Sequence, residues 1–177
     1  RKYNDVVFMY FGKGVGSGII INKKLYKGIS NFAGEIGYMV TQDASEELLG
    51  KYKAQGLTEQ VVSEFIKQIN QEDVVSTTPF TNSNSFVKCL NSLIKTIAHI
   101  IINVTCILNP EVVVLKGDFI TDDFVAAVKK YINSYLDECN SPEIIILNDD
   151  KAGLIGTIHF CLSEINSQYL LVNRKGV

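Results

Sequence analysis

The sequence has 177 residues, of which 46% are hydrophobic and 20% are charged, with a formal net charge of −2. This length and composition predict one soluble globular domain with a sizeable core. The near-neutral charge argues against binding nucleic acid through overall basic charge, and we expect no membrane span and no signal peptide.

The first predicted elements lie in residues 6–37. An apolar, β-rich run at Val6–Phe11 is followed by a second run at Ile19–Ile21, a turn at 22–24 and a short strand around residues 25–26. Glycines occupy alternate positions between the two runs: Gly12, Gly14, Gly16 and Gly18. The pattern predicts a hairpin whose turn has a bare backbone, with few side chains. Such a turn either only reverses the chain tightly or brings its N–H groups close to a phosphate, and the glycine spacing leaves both interpretations open.

The middle of the chain is predicted to be helical between loops. Residues 39–55 are expected to form a loop with one helical turn at 45–49, after which Thr58 caps an amphipathic helix. A polar loop is expected at 76–85. The strong helical period from Ser85 to Leu108 has a wide apolar stripe, which indicates burial against a sheet and against a partner subunit.

The last third alternates strands and helices. Asn109-Pro110 ends the long helix, and Val112–Leu115 is typical of a central parallel strand. Thr121 is predicted to cap the next helix, Ile144–Leu147 to form a second buried strand, and residues 152–165 to form a final helix with its apolar side inward. A hairpin followed by strand, helix, strand and helix predicts a mixed α/β sheet.

Four segments together resemble the ROK family of repressors, open reading frames and kinases. They are Gly12-Lys13-Gly14-Val15-Gly16, Ala33-Gly34-Glu35-Ile36-Gly37-Tyr38, Leu108–Leu115 with its Asn-Pro-Glu, and Gly153–Gly156. The resemblance implies that 1–177 is the carboxyl-terminal lobe of a ribonuclease H-like, actin-like ATPase fold, with a variable segment at about 39–84. It also implies that the DNA-binding domain and first lobe, with the catalytic Asn-Asp pair, lie upstream of these residues.

The resemblance assigns sugar binding to Glu35 and Tyr38. The family's matching glutamate accepts hydrogen bonds from sugar hydroxyls, which a carboxylate does well; the alternative is an exposed loop glutamate. Tyr38 stands where the family has a histidine that touches sugar and helps to bind zinc. A tyrosine still donates a hydrogen bond but is a poor zinc ligand.

The nucleotide positions of the family are altered in this sequence. Lys13 replaces a phosphate-contacting threonine, and Lys116-Gly117-Asp118 replaces a glycine run that packs on adenosine. A lysine in a glycine turn either grips a phosphate or lies in solvent. We expect a vestigial phosphate loop at Gly12, Lys13, Gly14 and Gly16, and a vestigial adenosine site at Lys116, Gly117 and Gly156.

We expect no resident cofactor and no catalytic residue. Residues 39–60 contain neither cysteine nor histidine, so the family's zinc site is predicted to be absent, and ATP binding is doubtful. His99 and His159 are expected in core or interface roles. Cys89, Cys106, Cys139 and Cys161 are expected to be reduced core thiols of a cytoplasmic protein.

Three functions remain open from the sequence. The first is the sugar-sensing and dimerisation portion of a ROK-type transcriptional regulator, with a small sugar effector, a homodimer partner, and DNA contacted only through a separate amino-terminal domain. The second is the carboxyl-terminal half of an ATP-dependent sugar kinase of the glucokinase type. The third is an oligomerisation module that binds no small molecule.

Overall fold

A computed structural model describes residues 2–41, 56–75, 84–151, 153–158 and 162. The chain falls into two compact units, Arg1–Leu147 and Asn148–Val177, which we describe separately. Residues 42–55 and 76–83, which make up most of the loops predicted at 39–55 and 76–85, lie outside the described residues, as do His159 and Cys161.

The first unit is a five-stranded mixed sheet with packed helices, as the sequence predicted. The strands are β1 (Val6–Phe11), β2 (Val15–Ile21), β3 (Lys24–Tyr26), β4 (Val112–Lys116) and β5 (Glu143–Ile146), and the helices are α1 (Leu57–Val75), α2 (Asn84–Leu108) and α3 (Asp122–Ile132). The strand order is β3-β2-β1-β4-β5. The first three strands are antiparallel, whereas β4 runs parallel to β1 and β5 runs parallel to β4.

The core follows from the alternation of side chains along β1. Val7, Met9 and Phe11 are buried, while the intervening Tyr10 is exposed, because successive strand residues point to opposite faces. The buried β1 residues share one core cluster with the apolar face of α2. Helix α2 packs against both α1 and α3, so the wide apolar stripe predicted from the sequence is largely explained by contacts within the unit.

The parallel pairing of β1 and β4 brings two turns together. Tyr10 is the register partner of Lys116, so the turn after β1 and the turn after β4 lie at one edge of the sheet, the carboxyl edge. In open α/β sheets, ligands bind beside the carboxyl ends of the parallel strands. The carboxyl edge is therefore where a site is expected.

Asn109, Pro110 and Glu111 join α2 to β4. Asn109 has a φ of 45°, in the left-handed region that commonly ends a helix, and its N–H donates to Thr105 O at 2.9 Å. Pro110 is buried, and the Glu111 carboxylate then accepts from the N–H of Asp5, at 3.0 Å, and from that of Asn4. This segment therefore ends the helix and also fixes the start of β1.

Several sequence expectations are corrected by the structure. Helix α1 begins at Leu57, and Thr58 is no cap: its buried hydroxyl donates instead to Met39 O at 3.2 Å. Cys106 and Cys139 are free but exposed, whereas Cys89 is half-buried and desolvation raises the pKa of its thiol.

The second unit contains helical residues at 153–158 and 162. Its apolar residues were predicted to face inward, but those that the structure describes are exposed: Leu154, Ile155, Ile158 and Leu162.

One helix, Ser85–Leu108 in α2, is long and apolar enough to cross a membrane, although we expected no such span from the sequence. Only 44% of its most apolar window is buried. Core helices of soluble proteins meet the same criteria, and this one contributes Leu93, Ile97 and Ile101 to the core of the sheet unit.

The carboxylate of Glu111 predicts a pH-dependent contribution to stability. The backbone N–H groups of Asp5 and Asn4 lower the pKa of Glu111 below its ordinary value. Its contribution is therefore fully present above the unfolded-state pKa, about 4.3, and is lost as the pH falls through the lower folded-state pKa. We expect Glu111→Gln to lower the thermal midpoint of unfolding at pH 7. At a pH well below the folded-state pKa of Glu111, the midpoints of the variant and the wild type should be equal. A midpoint difference of the same size at both pH values would contradict this assignment.

Candidate functional site

The site is organised around the contact between Ser17 on β2 and Gly34. The Ser17 N–H donates to Gly34 O at 2.7 Å, and its hydroxyl donates to the same oxygen at 3.0 Å. Gly34 has a φ of 98°, and a Cβ on it would lie 2.2 Å from Ser17 O. Only glycine fits this position, because both its φ and its distance to β2 exclude a side chain.

The segment around Gly34 displays one carboxylate and two aromatic rings, on Glu35, Phe32 and Tyr38. The Glu35 N–H donates to Phe32 O at 3.3 Å, and the Tyr38 N–H donates to Glu35 O at 3.1 Å. These i-to-i+3 bonds favour a common side for residues 32, 35 and 38. Phe32 and Tyr38 are 58% and 42% exposed and their ring centroids lie 5.7 Å apart, while Glu35 is also exposed. We call Phe32, Glu35 and Tyr38 the aromatic strip.

A second glycine contact fixes the other end of the aromatic strip. A Cβ on Gly56 would lie 2.0 Å from Gly37 O, so the chain just before α1 packs directly on the backbone of the strip. A Cβ on Gly37 would lie 3.1 Å from Val15 O and 3.7 Å from the Glu59 Oε2 atom. The half-buried Glu59 therefore places a second carboxylate beside the same backbone.

The glycine turn, which we define as Gly12, Lys13 and Gly14, is less bare than predicted. The Gly12 N–H donates to Gly14 O at 3.0 Å, which closes the turn. The position of a Cβ on Gly12 lies 2.3 Å from Tyr10 Oη, so the phenol packs on the backbone of the turn. Lys13 is exposed, and a Cβ on Gly14 or Gly16 would meet nothing within 4 Å.

The turn after β4 lies beside the glycine turn. A Cβ on Gly117 would lie 2.4 Å from Phe11 O, so the turn after β4 touches the last residue of β1, directly before the glycine turn, at the carboxyl edge. Lys116 is half-buried and Asp118 is exposed. Gly156 belongs to the second unit, within the helical residues 153–158. The structure therefore brings Gly12, Lys13, Gly14, Lys116 and Gly117 to one edge.

His99 has polar partners at both ring nitrogens. Its Nδ1–H donates to Thr41 O at 2.9 Å, and Nε2 lies 3.2 Å from the hydroxyl of Tyr131. The Tyr131 hydroxyl also lies 3.3 Å from that of Tyr135, and this hydrogen bond raises the pKa of Tyr131. These contacts give His99 the packing role predicted for it.

No group of three or more His, Cys, Asp or Glu side chains that could hold a metal occurs in the part of the chain that the structure describes. The described residues therefore do not supply the ligand set that a zinc ion requires. Residues 42–55, on which part of the zinc prediction depends, lie outside that part.

A separate surface pocket of about 350 Å³ lies where α3 ends and β5 begins. Because β5 runs parallel to β4, its amino end lies at the sheet edge opposite the carboxyl edge. The polar lining comes from Lys129, Asn133, Glu138, Ser141 and Glu143. None of the predicted site residues lines this pocket.

Three residues of the candidate site around Gly34 and the glycine turn were missed in the sequence: Phe32, Glu59 and Tyr10. Phe32 stands three positions before Glu35. In a tight turn this spacing favours a common side for the two side chains, so the sequence carried a signal for Phe32. Glu59 carries only the signal of an acid in the first turn of a helix. Tyr10 carries none, because its position over Gly12 depends on the conformation of the turn.

The comparisons with known proteins identify the family. A sequence model of the ROK family matches residues 1–164. The chain belongs to the ROK family. The resemblance found in the four sequence segments is thereby confirmed.

Relatives of this ROK chain carry two kinds of name. An N-acetylmannosamine kinase of Escherichia coli is 27% identical over 176 residues, which cover 88% of this chain and 56% of the relative. A xylose repressor of Caldicellulosiruptor bescii is 26% identical in an alignment that covers 94% of this chain and 48% of the relative. The chain thus spans about half the length of these relatives, and similarity at this level shows the family without separating regulator from kinase.

The solved structures of the family support the predicted architecture. The Listeria monocytogenes protein Lmo2764 superposes with a TM-score of 0.69 at 21% identity, over 92% of this chain and 59% of that one. Together with the mixed sheet and its packed helices, this match confirms the actin-like ATPase fold for the ROK chain.

The Ser17 contact predicts a large stability cost for a side chain at Gly34. Gly34→Ala should lower the free energy of unfolding by about 3 kcal/mol, because the methyl group meets a backbone oxygen at an unfavourable φ. Gly14→Ala is the matched control, since its methyl group enters open space and should change the free energy by about 0.5 kcal/mol or less. Chemical denaturation measures both values, and equal costs at the two positions would contradict the role assigned to Gly34.

Proposed function

We propose that this chain is the sugar-sensing and dimerisation portion of a ROK-type transcriptional regulator and is catalytically inactive by itself. The observation that carries the proposal is the aromatic strip, in which the exposed carboxylate of Glu35 lies on the same short segment as the exposed rings of Phe32 and Tyr38, which pack against each other. Sugars present hydroxyl groups around a ring and C–H groups on its faces. A carboxylate accepts from vicinal hydroxyls, and aromatic rings pack against C–H groups.

Each residue of the strip has a role in this proposal. Glu35 accepts two sugar hydroxyls, and the phenol of Tyr38 donates to a third oxygen while its ring and that of Phe32 contact the sugar. Glu59 lies beside Gly37 and supplies a further acceptor on the inner side of the same backbone. A small neutral sugar fits this set because it needs acceptors and apolar surface more than it needs positive charge.

Sugar binding would act by shifting a population between two conformations. In the intact regulator the effector binds more tightly to the conformation in which a second lobe closes over the aromatic strip. In a homodimer, that closure changes the spacing of two DNA-binding modules, which lie outside these 177 residues. The proposal places the protein in the cytoplasm, where sugar and operator are both accessible.

A sugar kinase of the glucokinase type remains the second candidate function. The glycine turn and the kinase relative at 27% identity favour it. The phenol of Tyr10 weighs against it, since it covers Gly12 in the turn on which a kinase would hold phosphate. The candidate sugar residues serve either function.

Removing the charge of Glu35 should weaken sugar binding. A charge-assisted hydrogen bond contributes about 1.5–3 kcal/mol, so Glu35→Gln in the intact protein should lower sugar affinity by about 10- to 100-fold. Calorimetric titration with a panel of pentoses, hexoses and N-acetylhexosamines measures the change. Glu138→Gln, at an exposed carboxylate of the opposite sheet edge, is the control and should bind like the wild type. Unchanged affinity in Glu35→Gln would remove Glu35 from the site.

The two functions differ in turnover. We expect the intact protein to bind a sugar of the panel but to release no ADP from MgATP in a coupled assay with that sugar. Steady turnover well above the rate without sugar would contradict the regulator proposal and support the kinase. Thermal shift in the same buffer reports sugar binding independently, because a ligand that binds the native state raises the midpoint.

A further inference from the structure

The contact between Tyr10 and Gly12 has no role in sugar binding as proposed above. The position of a Cβ on Gly12 lies 2.3 Å from Tyr10 Oη and 2.7 Å from its Cζ, so the end of the phenol covers the backbone at the start of the turn. Tyr10 is 39% exposed, so its ring lies at the surface and outside the core. Its strand partner Gly16, in contrast, has open space over its Cα.

The remainder of the glycine turn keeps features that suit an anion. Lys13 is exposed, and neither its N–H nor that of Gly14 donates to a backbone carbonyl in the part of the chain that the structure describes. Free N–H groups in a glycine turn beside a cation are the usual cradle for a phosphate. The phenol of Tyr10 lies over Gly12, the residue next to this cradle.

We propose that Tyr10 is a specificity-determining residue that keeps phosphate chains off the glycine turn. The inference rests on the proposed function, in which the effector is a neutral sugar and not a nucleotide. A phosphate chain can reach the turn only after the phenol moves. The apparent affinity for the phosphate chain is therefore the intrinsic affinity multiplied by the fraction of molecules in which the phenol has moved. The aromatic strip attaches to Ser17, Val15 and Gly56, and Tyr10 touches none of these contacts.

The test compares Tyr10→Ala with the wild-type intact protein by calorimetric titration. The probes are MgATP and inorganic tripolyphosphate, because the second carries the phosphate chain without a base or ribose. We expect Tyr10→Ala to bind both probes at least tenfold more tightly than the wild type. Tyr10→Phe should bind like the wild type, because its ring still covers Gly12.

Tyr26→Ala is the matched control. Tyr26 lies on β3, the sheet edge strand, is 53% exposed, and should leave the affinity for both probes unchanged. The proposal is overturned if Tyr10→Ala binds the probes no more tightly than the wild type. It is also overturned if both Tyr10 variants bind them more weakly, since the phenol would then be a phosphate ligand.

Sugar titration of the same variants separates this inference from the proposed function. We expect sugar affinity to be equal in the wild type and Tyr10→Ala. If no sugar binds to any variant, the regulator proposal fails, while the phosphate-chain comparison still decides the role of Tyr10. Equal unfolding midpoints show that the variants are folded.

Discussion

The approach of Gly34 to Ser17 determines where the aromatic strip can lie. Two hydrogen bonds from one serine hold the Gly34 carbonyl against β2, and the missing side chain allows the backbones to meet. Two further glycines also lack a side chain where backbones meet: Gly56 packs on the carbonyl oxygen of Gly37, and Gly117 packs on that of Phe11. The segments at the carboxyl edge are thus joined through backbone contacts, and the exposed side chains of Phe32, Glu35 and Tyr38 take their positions from them.

Much of the fold could be predicted from local sequence patterns. The apolar, β-rich run of β1, the helical period of α2 and the stop at Asn109-Pro110 each reflect one local rule, and the structure confirms them. Thr58 shows where such rules fail. A threonine before an apolar helical period is typical of a cap, but here its hydroxyl bonds to Met39 O, a partner 19 residues away that no local pattern reveals.

The candidate site could be predicted only in part. The sequence resemblance pointed to Glu35 and Tyr38, and to the two turns that the parallel pairing of β1 and β4 brings together. Phe32 and Glu59 could not be assigned in the same way, because their places depend on the turn at Gly34 and on the contact of Gly56 with Gly37. We have proposed that the aromatic strip binds a sugar and that Tyr10 keeps phosphate chains off the glycine turn. Together, these two proposals describe a sugar sensor and not a kinase.

The most direct test of this account is a sugar titration of the isotope-labelled intact protein, followed through its backbone amide NMR signals. The account predicts that the largest shift changes lie at Phe32, Glu35 and Tyr38, with smaller changes at Ser17 and Gly34. Shift changes centred instead on Lys129 and Glu143 at the opposite edge, or none with any sugar of the panel, would contradict it.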